Sequence, residues 1–413
     1  MGARHGRGDR SGQHRENHTD ENLRRPSGER GPVQRERSIA SGIGLQTYRA
    51  CDHRVMPPGS ARDNNLDLLR LGAAVAVLFS HSYPLTDSGE DPLQRWSGHS
   101  AGELGVTVFF AISGYLITLS WLSDPQPSRF AARRGLRLLP GLAVATLLTA
   151  FVLGPLVTAV GAGTYLTDPA PYLYAVRTSL LVTIAGTLPG VFVDNPFPDA
   201  VNGSLWTLPV EALAYAMVLV AALLGLLRAR RGWAVAGVMV VLAFLASTAS
   251  PLDLSGLVPA GAADAGVPSA LRLVAVFAGG MLLALYRDQL PLSLLGVPLA
   301  FAVWWLTRST ALEPLVTALA MPYAVLALGF LHRVRFPLYE RGGDASYGIY
   351  VYAFPVQQTV AHLVTGISPE GMLALALPVT FVLGRLSWRL VERPALRRKP
   401  SRQPSATTVS AAP

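Results

Sequence analysis

Lysine is almost absent from this 413-residue chain: of its 35 cationic residues only Lys399 is not arginine. Arginine codons are GC-rich, so the bias points to a GC-rich bacterial source. Cysteine occurs once, at Cys51, which excludes a disulfide framework and a thiolate metal site, and disfavours a cysteine nucleophile. Four of the eight histidines precede the first apolar window and the others are scattered, so no His/Asp/Glu group has metal-ligand spacing and no metal is expected. There is no phosphate-cradling Gly-rich loop and no dinucleotide fingerprint, which disfavours nucleotide-driven transport by this chain alone. Charge is scarce, at 15%, while half of the residues are hydrophobic and the mean hydropathy is +0.35. A soluble globular domain does not have that composition.

What is present is a series of apolar windows long enough to cross a bilayer. They begin near residues 68, 104, 136, 208, 233, 270, 290, 312, 345 and 371. A weaker window at 173–192 is broken by Arg177, Pro189 and several Gly and Thr. Arg129, Arg133, Arg134 and Arg137, then Arg228, Arg230 and Arg231, then His332, Arg333, Arg335 and Arg341, and finally Arg393, Arg397, Arg398 and Lys399 should all face the cytoplasm. They fall on one side only if 173–192 does not cross. The reading is an all-α polytopic membrane protein of about ten transmembrane helices with both termini cytoplasmic. Segment 159–207 becomes an external or re-entrant cap. The expected location is multi-pass in the bacterial inner membrane, with lipid and no nucleic acid as neighbours. Residues 1–62 are polar, basic and without apolar periodicity, and read as a disordered tail or as untranslated sequence upstream of a start at Met56. Residues 63–395 form the membrane domain, and 396–413 a disordered cytoplasmic tail.

Five stretches carry chemistry. The first is Asn65–Ser82, where Arg70 and His81 stand eleven steps apart in an apolar, helix-length segment. Eleven steps return to nearly the same helix face and climb roughly 16 Å. Ionisable groups in a span are costly and therefore read as functional. The second, Gly102–Tyr115, has small residues that permit close helix approach, which by itself explains most of it. The third, Arg129–Pro140, places Arg133, Arg134 and Arg137 on one face. It reads equally as a topology signal or as a fork-like grip on phosphate, with Arg70 at the same membrane side. The fourth, Asn202–Glu211, has Pro209 in a first helical turn, Ser204 or Thr207 as caps, and Glu211 in need of a partner for which His81 is the candidate. Trp206 reads as an interfacial anchor. In the fifth, Gly343–Pro355, Asp344 or Ser346 can cap a helix whose tyrosines face an interior.

Taken in order, these stretches resemble the acyltransferase 3 family of integral-membrane O-acyltransferases. The resemblance rests on Arg70-x10-His81, Gly102–Ile117, the cluster ending Arg137-Leu138-Leu139-Pro140, Asn202–Glu211 and Asp344–Tyr350. It implies ten spans with cytoplasmic ends and transfer of an acyl group from cytoplasmic acyl-coenzyme A, by default acetyl-CoA. The acceptor would be a hydroxyl of a cell-surface or lipid-linked glycan, or of a macrolide or other small molecule. By resemblance, His81 and Arg70 form the essential pair, and Arg133, Arg134 and Arg137 handle the donor. Glu211 belongs to the acidic motif, and Ser204, Trp206, Asp344 and Tyr347 come from the motifs expected to meet substrate. Histidine is a base of suitable range for a hydroxyl, with a transient acyl-imidazole as the other route. Many relatives place a histidine late in the last motif, where this chain reads Tyr352-Ala353-Phe354-Pro355. Many also carry a hydrolase-like domain, and after Pro400 only a Ser/Pro/Ala tail follows, so the membrane domain is expected to act alone. A secondary transporter would also use buried Arg, His and Glu, but it predicts inverted repeats, which the sequence does not display.

Overall fold

The computed structural model describes residues 65–182, 186–227, 266–330 and 343–400, with a few positions between 231 and 244. The tail 1–62 with Cys51 and Met56, the window near 233, the arginines at 228, 230, 333, 335 and 341, and residues 401–413 lie wholly or mostly outside them. All described residues belong to one compact unit. Among them the fold is helical, and the one β interaction is an isolated bridge between Thr158 and Val191.

In chain order the helices are α1 (Leu66–Ser82), α2 (Pro92–Ser97), α3 (Ala101–Ser123), α4 (Pro127–Leu148), α5 (Gly154–Val157), α6 (Ala162–Thr167), α7 (Ala170–Ser179) and α8 (Thr207–Leu223). They continue as α9 (Gly266–Leu285), α10 (Gly296–Thr307), α11 (Glu313–Gly329), α12 (Ser346–Leu363), α13 (Pro369–Ser387) and α14 (Arg393–Arg397). A π-turn at Thr149–Leu153 joins α4 to α5. Six helical stretches are long and apolar enough to cross a membrane: Leu66–Thr86, Ala101–Ser123, Pro127–Val157, Gly203–Leu223, Pro268–Leu285 and Pro369–Arg397. Gly296–Thr307 and Glu313–Gly329 are apolar but shorter. The window near 345 becomes α12, whose Ser, Tyr and Gln side chains dilute its hydropathy. The window at 173–192 yields only the ten-residue α7 before the chain turns, too short to cross.

Local signals set the boundaries. Asp91 accepts the N–H groups of Leu93 and Gln94 to start α2, which Gly98 closes at φ 82°. Ser100 accepts the Glu103 N–H at 3.0 Å to start α3, and Ser368 with Pro369 starts α13. Helix α3 is central, packed on α1 at one side and α9 and α11 at the other. Glycine makes that possible. A Cβ on Gly114 would stand 2.1 Å from the Phe277 carbonyl oxygen, and one on Gly280 2.5 Å from that of Ala111. The small residues of Gly102–Tyr115 therefore serve backbone approach. Gly114→Ala is expected to destabilise the purified protein by about 1–3 kcal/mol through overpacking. Gly72→Ala, with nothing within 4 Å of the added carbon, should leave the melting temperature unchanged or slightly raised. Equal melting temperatures for Gly114→Ala and wild type would refute the tight seam.

Tyr165, Tyr174, Val191 and Phe192 of segment 159–206 pack a small core with Ala150, Phe151, Leu153 and Val157. Side-chain amides fasten that segment to α12. Asn195 donates to the Gln358 backbone oxygen at 2.9 Å, Gln358 donates back to the Phe197 and Ala200 carbonyls, and Asn202 donates to the Val351 carbonyl at 2.9 Å. Phe197 and Ala200 thereby become wall residues of the cavity described next.

Candidate active site

A cavity of about 990 Å³ opens beside the C-terminal end of α1, with His81 in its wall. That volume is at the upper end of small-molecule sites. The His81 ring meets Phe354 of α12 edge-on, with centroids 5.3 Å apart, and its Nδ1 is buried without a hydrogen-bond partner. Next to it, Ser80 donates to Asp91 at 2.7 Å, and Asp91 also accepts the Ala101 N–H at 3.0 Å. Asp91 thus ties the His81 end of α1 to the starts of α2 and α3. Ser204 and the half-buried Trp206 also line the cavity. Ser204 is fixed by its 2.8 Å bond to Asn202, and Tyr350 donates to the Ser204 carbonyl at 2.5 Å. Neither Ser204 nor Thr207 caps α8, which instead follows a 3-10 turn over Gly203–Trp206.

At the other end of α1 lies a second polar centre. Arg137 of α4 donates to Asp344 at 2.6 Å and stands 3.7 Å from Glu392. Arg70 is 3.8 Å from the same Asp344 and 3.3 Å from Asp67. The other Asp344 oxygen accepts the N–H and hydroxyl of Ser346, the first residue of α12, while the N-cap position itself is Ala345, so Ser346 does not cap the helix. Arg70 and Arg137 keep 18% and 21% of their side-chain surface exposed, so both remain reachable. Tyr347 donates to the Leu138 carbonyl at 2.7 Å, under the Arg137 guanidinium. Asp344 and Tyr347 thus sit with the arginines at this end and are not part of the His81 cavity wall.

Two expectations meet a different arrangement. Arg133 is 6% exposed and bonded to Asp124 at 2.6 Å, with Arg129 also 3.4 Å from that carboxylate. It is committed to the protein interior. Glu211 accepts from Ser113 at 3.0 Å and from Tyr215, so it is not paired with His81. It lies one helical turn along α8 from Thr207, and its partner Tyr215 faces Arg134, whose guanidinium stands 5.9 Å from the Tyr215 and Phe130 rings. Arg133 took a carboxylate from the α3–α4 connector, and Glu211 took a hydroxyl from α3 and one from its own helix.

Arg272 and Glu313 escaped the sequence reading, and Glu103 stood in the Gly102–Tyr115 stretch read mainly as packing. All three line the cavity and meet one another across α3, α9 and α11. His99 joins them, its Nδ1 3.1 Å from Glu103 and its Nε2 3.5 Å from Glu313. The hydrogen bond to Glu103, reinforced by both carboxylate charges, outweighs burial and raises the His99 pKa above its usual 6.5. The rule that marked Arg70 and His81 applied equally to Arg272, an ionisable group in an apolar window. What the linear chain lacked was any sign of its partners.

A family model for an acyltransferase domain matches residues 63–387. The chain is 32% identical over 343 residues to an O-acetyl transferase of Shigella phage Sf6, covering 82% of this chain and 97% of that protein. It is 31% identical over 372 residues to nodulation protein 10 of Rhizobium leguminosarum bv. viciae, covering 83% and 95% respectively. No solved structure matches.

Proposed function

The chain belongs to the acyltransferase 3 family and is a membrane O-acyltransferase, and from that premise we propose that it moves an acetyl group from cytoplasmic acetyl-coenzyme A to a glycan hydroxyl in the His81 cavity. The observation that supports this reading is the separation of two polar centres along one helix. Arg70 stands with Arg137 at one end, and His81 faces the cavity at the other. The rise between them, roughly 16 Å, is a distance that the long arm of coenzyme A bridges.

In this mechanism Arg70 and Arg137, with Arg134 behind them, hold the donor's phosphates by charge-assisted bonds, and Asp344 yields its share of both guanidiniums. A hydroxyl bound in the cavity gives its proton to the His81 imidazole as its oxygen attacks the thioester carbonyl. The new C–O bond forms, the C–S bond breaks, and the departing thiolate recovers the proton from His81. Glu211, held by Ser113 and Tyr215, fixes α8 against α3 rather than supporting His81. Ten spans with cytoplasmic termini would place the arginine centre inside and the cavity outside, in a bacterial inner membrane.

The test is transfer of radiolabel from acetyl-coenzyme A in membranes with and without the protein. Label in an envelope glycan or glycolipid only when the protein is present is the expected result. Label confined to small molecules moves the acceptor to that class. No transfer, with coenzyme A failing to bind the purified protein, would overturn the donor assignment.

A further inference from the structure

The cavity wall that holds His81 also carries a network that the transfer chemistry leaves unused. Arg272 lies between two carboxylates, 3.7 Å from Glu103 and 3.5 Å from Glu313. These are loose contacts, since charge-assisted N–H···O bonds run nearer 2.7–2.9 Å. The Arg272 Nε is buried and has no hydrogen-bond partner. Glu313 is held in place by Thr317, which donates to it at 2.7 Å and accepts from the Trp304 indole at 3.0 Å. Asp91 offers a contrast: both its oxygens are already occupied by Ser80, Leu93, Gln94 and Ala101. The Glu103–Arg272–Glu313 group, by comparison, is ordered but still has bonding capacity.

The electrostatics limit what can bind. Among the described residues the cavity wall holds five carboxylates, Glu90, Asp91, Glu103, Asp199 and Glu313, against one guanidinium, Arg272. An anionic ligand is repelled there. A cation finds Glu103 and Glu313 already shared by Arg272 and His99. Hydroxyl groups suit the site best, because they donate to carboxylates and accept from a guanidinium N–H. Trp206, Tyr350 and Phe354 supply flat apolar surface in the same cavity, matching the C–H faces of a pyranose ring.

We propose that Glu103, Arg272 and Glu313 form the subsite that holds the acceptor, and that the acceptor presents an uncharged sugar ring there. Its role as the acceptor subsite rests on the O-acyl transfer reading, but sugar binding can be measured without turnover. The same charge balance keeps the donor's phosphates out of this cavity.

The experiment uses the full-length protein in lipid nanodiscs, free of glycoside detergent. Intrinsic tryptophan fluorescence is followed during titration with neutral methyl glycosides of glucose, galactose, rhamnose and N-acetylglucosamine. Methyl glucuronide and methyl glucosaminide supply the anionic and cationic comparisons. Saturable quenching by at least one neutral glycoside, with the charged pair binding at least tenfold more weakly, is the expected result. The Glu103→Gln/Glu313→Gln protein should bind that glycoside at least tenfold more weakly than wild type. Arg272→Lys, which keeps the charge but loses the fork, should give an intermediate loss and covers the case in which the double variant fails to fold. Absence of neutral-sugar binding, equal binding of a charged analogue, or unchanged binding in the variants would overturn the proposal. A parallel coenzyme A titration separates the two readings. Its failure beside intact sugar binding sinks the donor assignment, and the reverse pattern sinks only the sugar subsite.

Discussion

His81→Ala is expected to lower acetyl transfer by about 10²–10⁴-fold, the range for losing a positioned general base, while the protein stays folded. The structure explains why the two effects separate. His81 Nδ1 has no hydrogen-bond partner to lose, and among the described residues the ring's one aromatic contact is its edge-on meeting with Phe354. An aromatic pair of this geometry contributes only about 0.5–1.5 kcal/mol beyond its buried area. The check is initial rates at matched protein levels, read beside melting temperatures. A rate within threefold of wild type would remove His81 from the chemistry. A rate loss accompanied by an equal loss of folded protein would assign it a packing role.

Arg133→Met is expected to do the opposite, removing stability rather than donor affinity. The Arg133 guanidinium is bonded at 2.6 Å to an Asp124 that is 4% exposed. Breaking a buried pair by deleting one partner costs about 3–5 kcal/mol, because the remaining charge is left uncompensated. Arg129, 3.4 Å from the same carboxylate, softens that loss and sets the expectation at the lower end. The protein that does fold should show an unchanged KM for acetyl-coenzyme A. Arg137→Met should raise that KM, since Arg137 is partly exposed and shares Asp344 with Arg70. A raised KM in Arg133→Met with an unchanged melting temperature would return Arg133 to the donor site.

The contrast between Arg133 and Arg137 marks how far the sequence could be read. Both residues sit on one face of α4, and both carry the same group on the same stem. Spacing alone made them equivalent. Their fates differ because Asp124 begins the α3–α4 connector beside one, while Asp344 and Glu392 arrive beside the other from far along the chain. Glu211 is the same lesson for an acid. Hydropathy put it at the depth of His81, but Ser113 and Tyr215 were nearer.

By itself, the sequence determined the helical membrane class, most of the described apolar helices, the short α7, and the placement of Arg70 and His81 at opposite ends of one helix. These follow from helical period and hydropathy, both of which act over a few residues. Tertiary structure alone decided which arginine stays accessible, what Glu211 touches, and that Glu103, Arg272 and Glu313 share a cavity wall. A buried charge must find a partner wherever the packing of distant helices supplies one, and glycine contacts such as Gly114 on Phe277 and Gly280 on Ala111 bring those helices together.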